Sequence, residues 1–176
     1  VVALRTPAME PTEVVTADPG DTVVAEVDGR TTSVVVPRIT ADVDAARALA
    51  GADAIVHAIP MQQTEAFLNT VRAHIAPHVL VVNTSKGLRE DTLELAHDVF
   101  ARALGPGQPC AYYGGPTFAK ELMLGTPSGG VMAARDMETA ERAARLFRGR
   151  AMRVYPSEDV VGCGPKEGTL EYWVND

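Results

Sequence analysis

Lysine is scarce in this 176-residue chain: of 16 Lys+Arg residues, only Lys86, Lys120 and Lys166 are lysines. Codon bias in an alanine- and arginine-rich genome explains such a skew, yet it leaves any amine-based chemistry few places to be. Cysteine is scarcer still. Cys110 and Cys163 stand alone, too few for a disulfide scaffold and most simply read as buried thiols. No apolar run, the stretch 54–59 included, has the length that crosses a bilayer. No charged-then-apolar leader opens the chain, so a soluble, reducing compartment, the cytoplasm, is expected, without membrane association. Positive charge is in deficit too: 16 Lys+Arg against 23 Asp+Glu give a net charge of −7, which speaks against a general nucleic-acid binder. Neither Gly-x-Ser-x-Gly nor Gly-x-Gly-x-x-Gly occurs, and Gly162-Cys163-Gly164 lacks the third glycine. His74 and His78 stand four apart, but Pro77 intervenes and no acidic or thiol cluster supports them, so no metal is expected. The first residue is Val, which reads as a processed chain or a fragment.

What is present fits one globular domain, with 46% apolar residues. Short apolar runs at 54–59, 79–82, 110–113, 131–134 and 152–155 read as strands. Amphipathic stretches at 63–76, from Asp91 to about residue 104, and 137–147 read as the helices between them, with Asp91 and Asp136 as caps. Asp91-Thr92-Leu93-Glu94 has capping-box spacing. Strands spaced by helices favour βαβ units and a mainly parallel sheet, hence an α/β fold. The first third fits that rhythm poorly. Residues 22–27 and 30–36 flank Asp28-Gly29, a hairpin-turn dipeptide; they form either a hairpin or a loosely ordered excursion between a first strand at 1–4 and the α/β core. Residues 164–176 show no periodicity.

Two loops could carry chemistry. Asn83-Thr84-Ser85-Lys86-Gly87-Leu88 follows an apolar strand, where ligands of open α/β sheets lie. Lys86 could neutralise a phosphate or polarise a carbonyl oxygen, or be an ordinary exposed lysine. Gly114-Gly115-Pro116-Thr117-Phe118-Ala119-Lys120-Glu121 follows the next strand and offers backbone amides and the Thr117 hydroxyl, or is a tight turn with Thr117 as N-cap. His57, inside an apolar strand, reads as a hydrogen-bonded core histidine.

With those residues in view, the chain resembles the N-terminal domain of the NAD(P)-dependent glycerol-3-phosphate dehydrogenase family. The match runs in order through Gly51-Ala-Asp-Ala-Ile-Val-His-Ala-Ile-Pro60 with Met61-Gln62, Thr84-Ser-Lys-Gly-Leu88, Gly114-Gly-Pro-Thr-Phe-Ala-Lys-Glu121, and Val154-Tyr155 with Asp159-Val-Val-Gly162. The resemblance implies a Rossmann-like, doubly wound, mainly parallel sheet that lacks the family's first strand and glycine fingerprint, with residues 1–5 as a remnant of its second strand. It implies interconversion of sn-glycerol 3-phosphate and dihydroxyacetone phosphate with NAD or NADP. By family role, Lys86 contacts cofactor and substrate and is catalytic, Gly115 and Thr117 bind substrate, and Ala119 approaches the cofactor.

The family's second lysine has Glu171 in its place here, with Lys166 nearby but outside the motif. Its helical domain has no counterpart in this sequence. The expected organisation is therefore an irregular N-terminal segment at 1–38 with its candidate hairpin, a partial NAD(P)-binding domain at 39–163 and a divergent tail at 164–176. A truncated oxidoreductase with little activity alone follows. The alternative is a non-catalytic binding or interaction module, and self-association into a homo-oligomer is expected where the missing first strand leaves a sheet edge open.

Overall fold

A computed structural model describes residues 2–4, 22–27, 30–35, 43–115, 126–149 and 151–163. Its main sheet has six strands: β1 (Val2–Leu4), β4 (Ala54–His57), β5 (Leu80–Asn83), β6 (Cys110–Gly114), β7 (Ser128–Ala134) and β8 (Met152–Ser157), in that spatial order. β4, β5 and β6 run parallel, as do β7 and β8, while β1 is antiparallel to β4 and β7 to β6. The remaining strands, β2 (Thr22–Val27) and β3 (Arg30–Val35), form a separate antiparallel hairpin with Val27 opposite Arg30.

The helices are α1 (Ala45–Leu49), α2 (Met61–Val71) continued by a 3₁₀ turn (Arg72–His74), α3 (Ala96–Leu104) and α4 (Met137–Phe147). Strand alternation divides the core into two layers. Ile55, Val81 and Tyr112 face one way and pack with Leu49, Leu68, Val71, Phe100 and Ala103 of α1 to α3. Ala54, Leu80, Val82, Ala111 and Tyr113 face the other way, against Ala140, Ala143 and Ala144 of α4. Helices thus cover both faces, as a doubly wound sheet requires. Three alanines on one side of α4 keep that layer thin.

The structure corrects several expectations. Residues 2–4 run antiparallel beside β4 and so are not a parallel second strand. The Asp91 capping box does not form, and α3 starts five residues later, at Ala96, with no side-chain cap at Leu95. Asp91 is instead taken by Arg89, whose Nε lies 2.7 Å from Oδ1, while Glu94 is taken by Arg102 and by the Thr92 hydroxyl at 2.6 Å. Leu93 adopts φ 56°, which interrupts any helix there. By contrast, Asp136 does cap α4, accepting from the Thr139 amide at 2.8 Å. Both cysteines are half-buried rather than buried, because Cys110 opens its strand and Cys163 ends the described chain.

Candidate functional site

The parallel register sets His57 of β4 beside Asn83 of β5, and Asn83 beside Tyr112 of β6. The carboxyl ends of three strands therefore open onto one edge of the sheet, and the 84–88 loop crosses it. Lys86 reaches from that loop toward β6, where its Nζ donates to the backbone carbonyls of Tyr113 at 3.4 Å and Gly115 at 3.3 Å. The same nitrogen lies 4.9 Å above the centre of the Tyr113 ring, within cation–π range. Lys86 is exposed as a residue, but its ammonium end is partly withdrawn from water. That desolvation pulls its pKa below the usual lysine value, against an opposing electrostatic effect of Cys163.

Gly115 belongs to the same place by backbone geometry. Its φ of +149° disfavours any side chain, and a β-carbon there would come within 2.9 Å of the Gly130 α-carbon. The structure thus brings Lys86 and Gly115 together, two of the residues singled out from the sequence. Thr117 and Ala119 lie outside the described residues, as do Lys120, Lys166 and Glu171.

Three contributors were given no individual role from the sequence. Tyr113 is the platform for the ammonium, buried and stacked on Phe147 with ring centres 6.1 Å apart. Gln62 clamps the far side of the loop, its Nε2 donating to the Leu88 carbonyl at 2.9 Å and its Oε1 accepting from the Glu90 amide at 3.1 Å. Gln62 stands two residues after Pro60, and that spacing was the available signal. The third is Asn83, 2% exposed, whose Oδ1 lies 3.1 Å from Nδ1 of His57. His57 is the hydrogen-bonded core histidine expected, and burial holds its pKa below the usual imidazole range.

An ammonium, a glycine that a β-carbon would crowd, and the ends of parallel strands converge at this edge, where ligands of open α/β sheets lie. The glycine-rich turn that seats a pyrophosphate is absent from the sequence. A sheet wound on both faces, with its site at the carboxyl ends of adjacent parallel strands, defines a Rossmann-type α/β domain. Glycerol-3-phosphate dehydrogenase from Coxiella burnetii shares the fold at TM-score 0.62 and 24% identity, over 68% of this chain and 36% of that one. The enzyme from Plasmodium falciparum does so at TM-score 0.61 and 19% identity, over 67% and 33%.

Sequence comparison names the family. The family model described as NAD-dependent glycerol-3-phosphate dehydrogenase N-terminus matches residues 31–140, more than half of the chain, and the chain belongs to that family. The chloroplastic NAD(+) glycerol-3-phosphate dehydrogenase of Oryza sativa is 38% identical over 70% of this chain and 28% of its own length. The NAD(P)+ enzyme of Rhizobium etli is 37% identical over 66% and 36%. The chain therefore spans about a third of the length of these relatives.

Proposed function

We propose that this chain carries the nicotinamide-facing half of an oxidoreductase site for sn-glycerol 3-phosphate and dihydroxyacetone phosphate. The single observation that carries the reading is the Lys86 ammonium, held over the Tyr113 ring and between two backbone carbonyls at the edge where the parallel strands end. NAD or NADP, when bound, supplies or accepts the hydride. Lys86 stabilises negative charge on the oxygen of the substrate carbonyl, and its fixed seat spares it reorganisation as that charge develops. Gly115, with no side chain, lets the substrate lie against the backbone, and Thr117 contributes a hydroxyl to it. Ala119 meets the cofactor through its backbone. A chain with only two cysteines, Cys110 and Cys163, suits a reducing compartment such as the cytoplasm.

Calorimetric titration of the folded chain with NADH and then NADPH tests the reading. Saturable binding is expected with one of them, weakened at least about tenfold, or about 1.4 kcal/mol, by Lys86→Ala. A folded sample that binds neither would overturn it. Binding without turnover of dihydroxyacetone phosphate would select the non-catalytic alternative, a nucleotide-binding module.

A further inference from the structure

We propose that His57 and Asn83 act as a positioning pair that fixes the loop bearing Lys86 and so aims its ammonium at the Tyr113 platform. The functional meaning of that aim rests on the reading of Lys86 given above; the geometry stands without it.

The hydrogen-bond partners fix the orientation of the Asn83 carboxamide and the Nδ1 proton of His57. The Asn83 carboxamide clasps the Ser85 backbone on both sides: Oδ1 accepts from the Ser85 amide at 3.2 Å, and Nδ2 donates to the Ser85 carbonyl at 3.2 Å. Those contacts settle which end of the carboxamide is oxygen. His57 Nδ1, 3.1 Å from that oxygen, must therefore carry a hydrogen. The Ser85 hydroxyl gives its own hydrogen to the Ile59 carbonyl at 2.5 Å, so its oxygen, 3.3 Å from Nδ1, accepts a share of the same imidazole N–H. Thr84 closes the set, its amide and hydroxyl both donating to the His57 carbonyl, at 2.9 and 3.0 Å. Residues 83, 84 and 85 are thus each tied to the end of β4, and Lys86 is the next residue along.

The other imidazole nitrogen, Nε2, is buried and finds no hydrogen-bond partner among the described residues, and the ring lies edge-on to Phe100 at 5.1 Å. Leaving a polar atom unsatisfied is costly, and an apolar side chain would avoid the cost. The imidazole sits at a position 1% exposed, where, among the described residues, its side-chain hydrogen bonding is the Nδ1–H directed at Asn83 and Ser85.

The test needs no nucleotide, so a failed NADH titration leaves it intact. In the unmodified protein, imidazole ¹⁵N shifts should report an Nδ1-protonated neutral ring; an Nε2–H tautomer would overturn the proposal whatever the variants do. In parallel, labelling of Lys86 by trinitrobenzenesulfonate is followed against pH by peptide mass mapping. Its midpoint should lie below that of a free lysine side chain, near pH 10.4. His57→Leu should raise the midpoint and slow labelling at pH 8 by at least about threefold, since raising the midpoint by about half a pH unit lowers the free-amine fraction by that factor. His57→Gln, which keeps a donor, should restore much of the lost rate. A folded His57→Leu protein with an unchanged Lys86 midpoint would refute the positioning role.

Discussion

A methyl group on the Gly130 α-carbon would overlap the hydroxyl end of the Tyr113 phenol, and one on Gly115 would press on the Gly130 backbone. The two positions differ in what can yield. Tyr113 can swing its ring, but that residue is 7% exposed, stacked on Phe147 and seated beneath Lys86. At Gly115 the obstacle is backbone, and its positive φ adds strain. Gly115→Ala and Gly130→Ala should each cost about 1–3 kcal/mol. Gly107→Ala, with nothing within 4 Å of a new β-carbon, should stay within about 0.5 kcal/mol of the parent. Urea unfolding of the three variants checks this, and equal midpoints for Gly107→Ala and Gly130→Ala would contradict it. At this scale the sequence showed Lys86 and Gly115, because both lie in loops directly after apolar strands. It gave no role to Tyr113 or to Asn83 of the Lys86 loop, and no sign of the Gly129-Gly130 approach. Their parts depend on which residue of one strand lies beside which of the next, and a single strand carries no record of its partner's register.

Between elements, charge decides what local propensity does not. Asp91 and Glu94 have the spacing of a capping box, yet Arg89 and Arg102 claim their carboxylates, and Glu65 of α2 bridges the same two arginines. The network joins α2, α3 and the loop between β5 and α3. Hydrogen bonding to Arg102, followed by that to Thr92, holds the Glu94 carboxyl down at about 2, and Glu65 and Asp91 are lowered by their own arginines. A carboxylate whose pKa is lower in the folded chain binds protons more weakly there than in the unfolded chain. Its contribution is therefore present above the ordinary carboxylate range and lost as pH falls from about 4.5 toward 2. Arg102→Gln should flatten the fall of stability with pH across that window. High salt should reduce the difference between parent and variant, since Arg102 is 44% exposed. Chemical denaturation at pH 7, 4 and 3 in low and high salt measures it. Parallel pH profiles for the two proteins would remove the network as a determinant.

For the whole molecule, the alternation of apolar strands with amphipathic helices carried the α/β reading, because burial on both faces of a sheet leaves a periodic trace. Strand direction leaves none, which is why the antiparallel placements of β1 and β7 were not legible. β1 matters most, since it is three residues long and, among the described residues, is all that pairs with the outer side of β4. The opposite edge, β8, is guarded by Pro156, which has no amide hydrogen to offer, and by exposed Arg153. β1 has no proline or charge. Val2 pairs with Val56 and Leu4 with Ala54, so removing residues 1–5 uncovers the N–H and C=O row of a strand whose Ala54, Ile55 and His57 are buried. A chain starting at Thr6 should pair through that edge. Its sedimentation coefficient should rise with concentration beyond that of the parent chain. The net charge of −7 opposes approach of two copies, so added salt should strengthen the association rather than weaken it. Identical sedimentation and identical melting for the two chains would mean that β1 protects nothing, and the open edge of β4 would no longer account for any self-association.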